Sequence, residues 1–458
     1  MSEAKDSARE PSLRQFKPYR AYKDSGVEWL GEIPAHWEVA PVYARFEIAL
    51  GKMLDAKRVT GEFSGRYVRN VDVQWDAVNA DDLPEMDFAP WERERYLLRL
   101  GDLLVCEGGE VGRTAIWRGE LDECFYQKAI HRVRPRSAEE SSRFFYYLMY
   151  TFTKCGVFVA GGNANTIDHL TAVQLRHYRM PFASPLEQRA IAAFLDRETA
   201  RIDGLVAKKE RLIELLQEQR TALITRAVTK GLDPNVPMKN SGIEWLDVYP
   251  RHWTGLPLKR WITAKITDGP HETPELVPEG VDFVSAEAVS NGQIDFNKRR
   301  GFITADLHEF YCRKCRPARD DILICKSGAT TGKLARVDVD VEFSVWSPLA
   351  LVRACRSRVL PRFLELALGA EYVQKQIKRT WSAGTQPNIS MGDLEQLFVV
   401  APQIDEQYKI LDFIERRTGE FGRLGSRIHD AIERLKELRT ALISAAVTGK
   451  IDVREEAA

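Results

Sequence analysis

The sequence predicts an α/β (α+β) protein built twice over: two globular domains separated by two long antiparallel coiled-coil helices, with a pseudo-twofold internal repeat. Three observations carry this reading. A motif that opens at Tyr22 returns at Met238, and a helical segment at Ile213 returns at Ile432. The stretches between them alternate short apolar runs, turn clusters and helical patches.

The first repeat reads YKDSGVEWLGEIPAHWEVAPV from Tyr22 to Val42 and MKNSGIEWLDVYPRHWTGLPL from Met238 to Leu258. At an offset of 216 the identities include Ser25/Ser241, Gly26/Gly242, Glu28/Glu244, Trp29/Trp245, Pro34/Pro250, His36/His252 and Trp37/Trp253. Trp29, Trp37, Trp245 and Trp253 are retained in both copies, which suits core or interface packing better than a stacking platform. The globules that follow, from about residue 43 to 180 and from 259 to 401, share only fragments. One is Gly101-Asp102-Leu103-Leu104-Val105-Cys106 against Asp320-Asp321-Ile322-Leu323-Ile324-Cys325, each leading into a glycine-rich turn and a basic residue, Arg113 or Lys333. Leu103–Cys106, Ile130–Val133, Asp282–Val284, Ile322–Cys325 and Leu349–Val352 read as strands, and Arg143–Phe152 and Pro361–Arg379 as helices.

The second repeat, IELLQEQRTALITRAVT at Ile213–Thr229 and IERLKELRTALISAAVT at Ile432–Thr448, is identical at twelve of seventeen positions. Upstream, Ile191, Leu195, Ile202, Leu205, Leu212, Leu216 and Leu223 form an apolar stripe at helical spacing, answered at an offset of 219 by Ile410, Ile414, Phe421, Leu424, Ala431, Leu435 and Leu442. Glu187 and Glu406 stand in the first turns, where a carboxylate complements the helix dipole. Gly231, Pro234 and Pro237 end the first helix. Gly204 and the Gly419, Gly422, Gly425 cluster predict a break or kink. Neither stripe can be buried by its own helix, so antiparallel pairing of the two is expected. The resulting organisation is a polar tail 1–21, a globule 22–184, a central helix 185–233, a second globule 234–402, a C-terminal helix 403–451 and a tail 452–458.

Composition excludes other classes. Hydrophobic residues make up 44% and charged residues 29% of the 458, the balance of a soluble globular protein. No run reaches the roughly 18 apolar residues of a membrane span, and Met1–Arg20 lacks the apolar core of a signal peptide. Seven cysteines without framework spacing suggest a reducing compartment, so the expected location is the cytoplasm, away from any membrane. Lys and Arg (66) balance Asp and Glu (66). That balance counts against a DNA-binder with a basic excess but leaves room for local basic faces.

No catalytic or metal site is expected. Ser327-Gly328-Ala329-Thr330-Thr331-Gly332-Lys333-Leu334 resembles a phosphate loop, yet Ser327 replaces its first glycine and Leu334 the magnesium-binding hydroxyl. Cys312 and Cys315 make a single CxxC without a second pair. No Asn/Asp-Pro-Pro-aromatic methylation motif and no paired-carboxylate nuclease cluster stands out.

The ordered set of motifs resembles the specificity subunits of type I restriction–modification enzymes, over nearly the whole chain. SGVEWLGEIPAHW and its recurrence SGIEWLDVYPRHW look like that family's repeated opening motif. ITDGPHETP (Ile266–Pro274), LLVCEGGEVGRTAIW (Leu103–Trp117) and YQKAIHRVRP (Tyr126–Pro135) resemble parts of its target-recognition domains, and EQRAIAAFLDRETARID its central helix. The resemblance implies two target-recognition domains that each read half of an asymmetric bipartite site on double-stranded DNA. It also implies two methyltransferase (modification) subunits that bind S-adenosylmethionine, and restriction/translocase subunits that hydrolyse ATP with Mg. The chain itself is expected to hold no cofactor and to be no enzyme. A stand-alone sequence-specific DNA-binding protein is the rival reading.

Residue chemistry selects the candidate contacts. In the first globule these are Glu107, Gly108, Gly109 and Arg113 of the glycine-rich turn, where backbone can approach DNA closely, and Gln127, Lys128, His131 and Arg132, which mix base-reading and phosphate-binding side chains. Asn163 and Asn165, beside Thr166, form a polar loop suited to adenine. In the second globule they are Asp268, His271 and Thr273 of the loop that carries the family resemblance, Lys326, Ser327 and Lys333 after the strand, and Thr385, Gln386 and Asn388. Ordinary turns, solvated edge strands and polar loops give the same patterns. Faithful repeats suit one task done twice, such as docking two copies of a partner, and divergent globules suit reading two different words. The opening motif, as counterpart of the Met238 motif, is expected to pack where the C-terminal helix ends.

Overall fold

The computed structural model describes residues 16–54, 60–158, 169–290, 292–380 and 387–457. The chain divides into two compact units, Met1–Glu210 with His429–Ala458, and Arg211–Ile428.

In the first unit a four-stranded antiparallel sheet has the order Thr114–Ile116, Leu103–Cys106, Ile130–Pro135, Phe46–Leu50. Leu103–Cys106 is an unbroken apolar run because both faces of this inner strand are covered. Helix Ser142–Lys154 covers one face with Phe144, Phe145, Leu148, Met149 and Phe152, and begins where the Ser141 hydroxyl accepts from the Phe144 N–H. A second sheet sets Phe125–Tyr126 parallel, and Glu85–Asp87 antiparallel, to Ser64–Val68. The opening motif is a hairpin, Tyr22–Asp24 with Glu32–Pro34, followed by a strand, Glu38–Pro41, paired with Arg179–Phe182.

The second unit repeats this plan although its sequence has diverged. Its four-stranded sheet has the order Leu334–Arg336, Ile322–Cys325, Leu349–Val352, Thr267–Asp268, again antiparallel throughout. Val281–Val284 pairs parallel with Phe343–Val345 and antiparallel with Gly301–Ile303. Met238–Ile243 with Leu246–Pro250 forms the hairpin, and Thr254–Pro257 pairs with Phe398–Ala401. The expected helix 361–379 is two helices, Pro361–Gly369 and Glu371–Arg379, parted by Ala370 in extended conformation after the poor helix former Gly369.

The long helices run unbroken from Pro185 to Lys230 and from Ile404 to Val447, without the breaks predicted at Gly204 and Gly419–Gly425. In the first unit Ile191, Leu195 and Ile202 share a core with Leu435, Leu442 and Ile443, and Arg439 Nε donates to Asp203 Oδ1 at 2.9 Å. In the second, Ala227 and Val228, with Leu223 and Ile224 packed against them, share a core with Ile410 and Ile414. Early residues of one helix meet late residues of the other in each unit, so the pairing is antiparallel. The predicted stripe is not buried throughout: Leu212 and Leu424 are exposed.

Each helix start is held by the same polar clasp. Glu187 accepts from Trp37 Nε1 at 3.1 Å and meets His36 Nε2 at 2.9 Å; Glu406 makes the same two contacts, with Trp253 and His252, at the same distances. The buried Gln188 and Gln407 beside them donate to Ala183 O and Pro402 O and accept from Ser141 N and Leu360 N. Each helix end closes on Gly231 or Gly449, both at φ +74, lying against Trp253 and Trp37 respectively. Beyond Gly449 the Asp452 N–H donates to Lys17 O at 2.7 Å, so both ends of the described chain meet in the first unit, beside the opening motif.

Candidate nucleic-acid interface

In both units the loop after the second strand of the four-stranded sheet is pinned by the same pair of backbone bonds. Glu107 N donates to Ala129 O at 3.0 Å and Leu170 N to Glu107 O at 2.8 Å; Lys326 N donates to Pro348 O at 2.7 Å and Ile389 N to Lys326 O at 2.8 Å. These loops therefore stand side by side with the segments that lead out of 159–168 and 381–386. The predicted residues Asn163, Asn165, Thr385 and Gln386, with Thr166, lie outside the described residues.

The first loop is stitched to its own globule. Asn70 Nδ2 donates to Gly108 O at 3.0 Å, and Arg113 donates one Nη to Asn70 O at 2.9 Å. Arg113 is thereby turned inward and half-buried, and its Nε is buried without a partner. Glu110 accepts from Trp75 Nε1 at 3.0 Å and Lys154 Nζ at 2.7 Å, which hold its carboxyl below the usual range against the upward push of burial. Gly109 stays exposed at the crest, Glu107 and Gly108 are half-buried, and Lys128 is exposed beside the half-buried Gln127.

Two predicted contacts of this unit are corrected. His131 is fully buried, its Nε2 at 2.5 Å from Leu170 O, and burial depresses its pKa. Arg132 is 3% exposed, donating to Arg95 O at 3.0 Å and Glu47 Oε1 at 2.6 Å. Both lie on an inner strand with its two faces covered, where alternation offers no wet side. Their roles are internal.

In the second unit the candidates converge around Asp268, which has no exposed surface and so is corrected from a DNA contact to an internal anchor. Its Oδ1 meets Lys314 Nζ at 2.6 Å; its Oδ2 meets Lys326 Nζ at 2.7 Å and His271 Nε2 at 3.2 Å. Burial pushes the carboxyl up, but hydrogen bonds from Lys314 and Lys326 outweigh it and hold the pKa below the ordinary carboxylate value. His271 and Thr273 stand exposed on the following loop. Ser327 is bridged to the exposed Asn388, and the exposed Lys333 lines a cleft of about 500 Å³ with Arg220, Thr331, Arg362 and Gln374.

Sequence reasoning missed two residues here. Asn70 and Lys314 act through distant partners and carry no local motif. The Glu-Gln pair repeated as Glu187-Gln188 and Glu406-Gln407 was a readable signal for the clasps. Among the described residues no group of three or more His, Cys, Asp or Glu side chains is placed to hold a metal ion, and no helix is long and apolar enough to cross a membrane.

Comparison with known proteins agrees with this geometry. Residues 63–215 match the family described as Type I restriction modification DNA specificity domain. The EcoBI type I specificity subunit of Escherichia coli is 22% identical over 78% of this chain and 75% of its own. The EcoKI specificity subunit of E. coli strain K12 is 19% identical over 92% and 90%. Among solved structures, a chain reported under "Structural basis underlying complex assembly and conformational transition of the type I R-M system" superposes with a TM-score of 0.60 at 15% identity, covering 91% of this chain and 98% of that one. The HsdS subunit from Thermoanaerobacter tengcongensis gives 0.51 at 15%, covering 92% and 98%.

Proposed function

We infer that this chain, which belongs to the specificity subunits of type I restriction–modification systems, is the DNA-reading part of such a complex, with each unit reading one half of an asymmetric bipartite site. The observation that carries this reading is a shared frame with unlike loops. Both units pin the same loop to the same sheet by equivalent main-chain bonds, yet that loop opens with Glu107 in one and Lys326 in the other. Main-chain bonds tolerate any side chain, so the readers can differ while the scaffold stays.

The helices are the spacer. A helix of 46 residues extends roughly 70 Å at about 1.5 Å per residue, against about 34–36 Å per turn of duplex. Their repeated ends are the docking faces for two modification subunits. Glu214, Glu218 and Thr221 are exposed along a groove of about 1040 Å³ that runs to Lys230, and the exposed Glu433 and Glu437 repeat the two carboxylates at an offset of 219. Exposed side chains kept in both copies suit a partner bound twice. S-adenosylmethionine, and ATP with Mg, would then belong to the modification and restriction/translocase subunits, which carry the catalysis.

Mapping methylated adenines in cells that carry the chain with its modification subunits tests this. The expected pattern is two unlike short words at a fixed separation. A single continuous word would sink the proposal.

A further inference from the structure

We propose that Lys314 is a DNA-phosphate contact of the second unit and that Asp268 is the positioning residue that holds it; the assignment rests on the reading that this unit binds DNA.

Asp268 gathers nitrogen groups from three separate loops: the His271 ring from its own, and the ammonium groups of Lys314, from the turn after the helix Ala305–Cys312, and Lys326, from the loop after the inner strand. Two lysines on one carboxylate leave a net positive charge, which a second anion can neutralise. The two lysines are unequal. Lys326 is 14% exposed and serves the interior, whereas Lys314 is 53% exposed. The Lys314 ammonium has three N–H groups. Two are used, toward Asp268 Oδ1 at 2.6 Å and Gly269 O at 3.3 Å. The third is left for solvent or for a ligand.

The surroundings are rigid. A Cβ on Gly269 would sit 1.7 Å from Val345 O, so strand and loop touch backbone to backbone. Ser347 N donates to Pro270 O at 3.1 Å, and Trp346 Nε1 to Glu272 O at 3.1 Å. Glu272, the acid of this loop, is engaged by the Tyr311 hydroxyl at 3.2 Å, and Arg300 stacks at 3.9 Å over the Trp346 ring. Lys314 is thus held, before any ligand arrives, beside a crest that exposes His271 and Thr273. An ordered cation next to ordered polar side chains is how a backbone contact sets the register of a base-reading loop. At the matching position the first unit has an apolar residue instead: Leu50 faces His131 across its sheet, where Asp268 faces Ala350.

The experiment measures DNA affinity against salt for the full chain assembled with its modification subunits, on a duplex bearing the mapped site. Each phosphate contact contributes about 0.9 to the slope of log K against log salt. Lys314→Gln should lower the slope by about one and weaken binding equally on all sequences, while Lys314→Arg keeps the slope. Asp268→Asn adds positive charge, so bulk electrostatics predicts tighter binding; loss of positioning instead predicts weaker specific binding with non-specific binding kept. An unchanged slope in Lys314→Gln, or tighter specific binding in Asp268→Asn, overturns the assignment. Should Asp268→Asn fail to fold, the half-exposed Lys314 variants decide alone. A wild-type complex that binds no duplex overturns the DNA reading and the assignment with it. Binding by wild type with no change in Lys314→Gln overturns the assignment only.

Discussion

The two globules are the same backbone plan carrying opposite chemistry. At the strand pair beside the loop that follows the inner strand, the first unit places Leu50 opposite His131 and the second places Asp268 opposite Ala350. At the loop's base, Glu107 in one corresponds to Lys326 in the other. Yet both loops hang from equivalent main-chain bonds, and both sheets keep the same strand order. Main-chain hydrogen bonds constrain position without constraining side-chain identity, whereas clasps and close approaches constrain both. Divergence should therefore be tolerated in the loops and punished at the few places where frame and side chain are the same thing.

The largest penalty is expected where backbones touch. Gly51 and Gly269 both follow the strand at one end of the four-stranded sheet, and a Cβ there would lie 2.2 Å from Gln127 O or 1.7 Å from Val345 O. Backbone carbonyls cannot swing away as side chains do. Gly51→Ala and Gly269→Ala should each destabilise their unit by about 3 kcal/mol or more, read as a fall in the urea midpoint. Gly204→Ala, where a Cβ meets open space, serves as the control and should be neutral or stabilising. A neutral result at either end-of-strand glycine would show that the two frames are not equivalent there.

The clasps come next and should separate the units. Glu187 takes three donors, Tyr19 at 2.7 Å in addition to His36 and Trp37, and is 5% exposed. Glu406 takes two and is 32% exposed. Removing either carboxylate strands a tryptophan N–H, which costs about 1–3 kcal/mol when buried and less when water can reach it. Glu187→Ala should therefore fall at the upper end of that range and Glu406→Ala at the lower, by chemical denaturation. Equal losses would mean that the third donor and the deeper burial add nothing.

Repetition made the frame readable, while long-range contacts hid the interface. The recurring motif, the two long helices and the strands Leu103–Cys106, Ile322–Cys325 and Leu349–Val352 are local patterns, and they form where their periodicity predicts. The helix-breaking weight given to Gly204 failed because packing of Ile202 and Leu205 beside it outweighs a cost of about 1 kcal/mol per glycine. His131 and Arg132 looked like readers because they are polar in an alternating strand. They are internal because that strand lies between two others, beneath a layer that the sequence does not announce. Lys314 stands in an undistinguished basic turn, and only the buried Asp268, 46 residues upstream, gives it a purpose.

The smallest expected effect is a difference in acid sensitivity. Burial lowers the pKa of His131, partly offset by its bond to the Leu170 carbonyl. The folded first unit thus keeps this ring neutral, while the unfolded chain takes up a proton near pH 6.5. Between the depressed folded value and about 6.5 the unfolded state binds more protons, so stability rises with pH through that window and is lost as the pH falls. The second unit has Ala350 at the matching strand position, which carries no titrating group. His131→Ala should lower stability at neutral pH, by loss of packing and of the Leu170 bond, yet shed less of what remains between pH 7.5 and pH 5. Urea midpoints at the two pH values measure this. If wild type and variant lose the same amount, the neutral buried ring does not contribute to the acid sensitivity of the first unit.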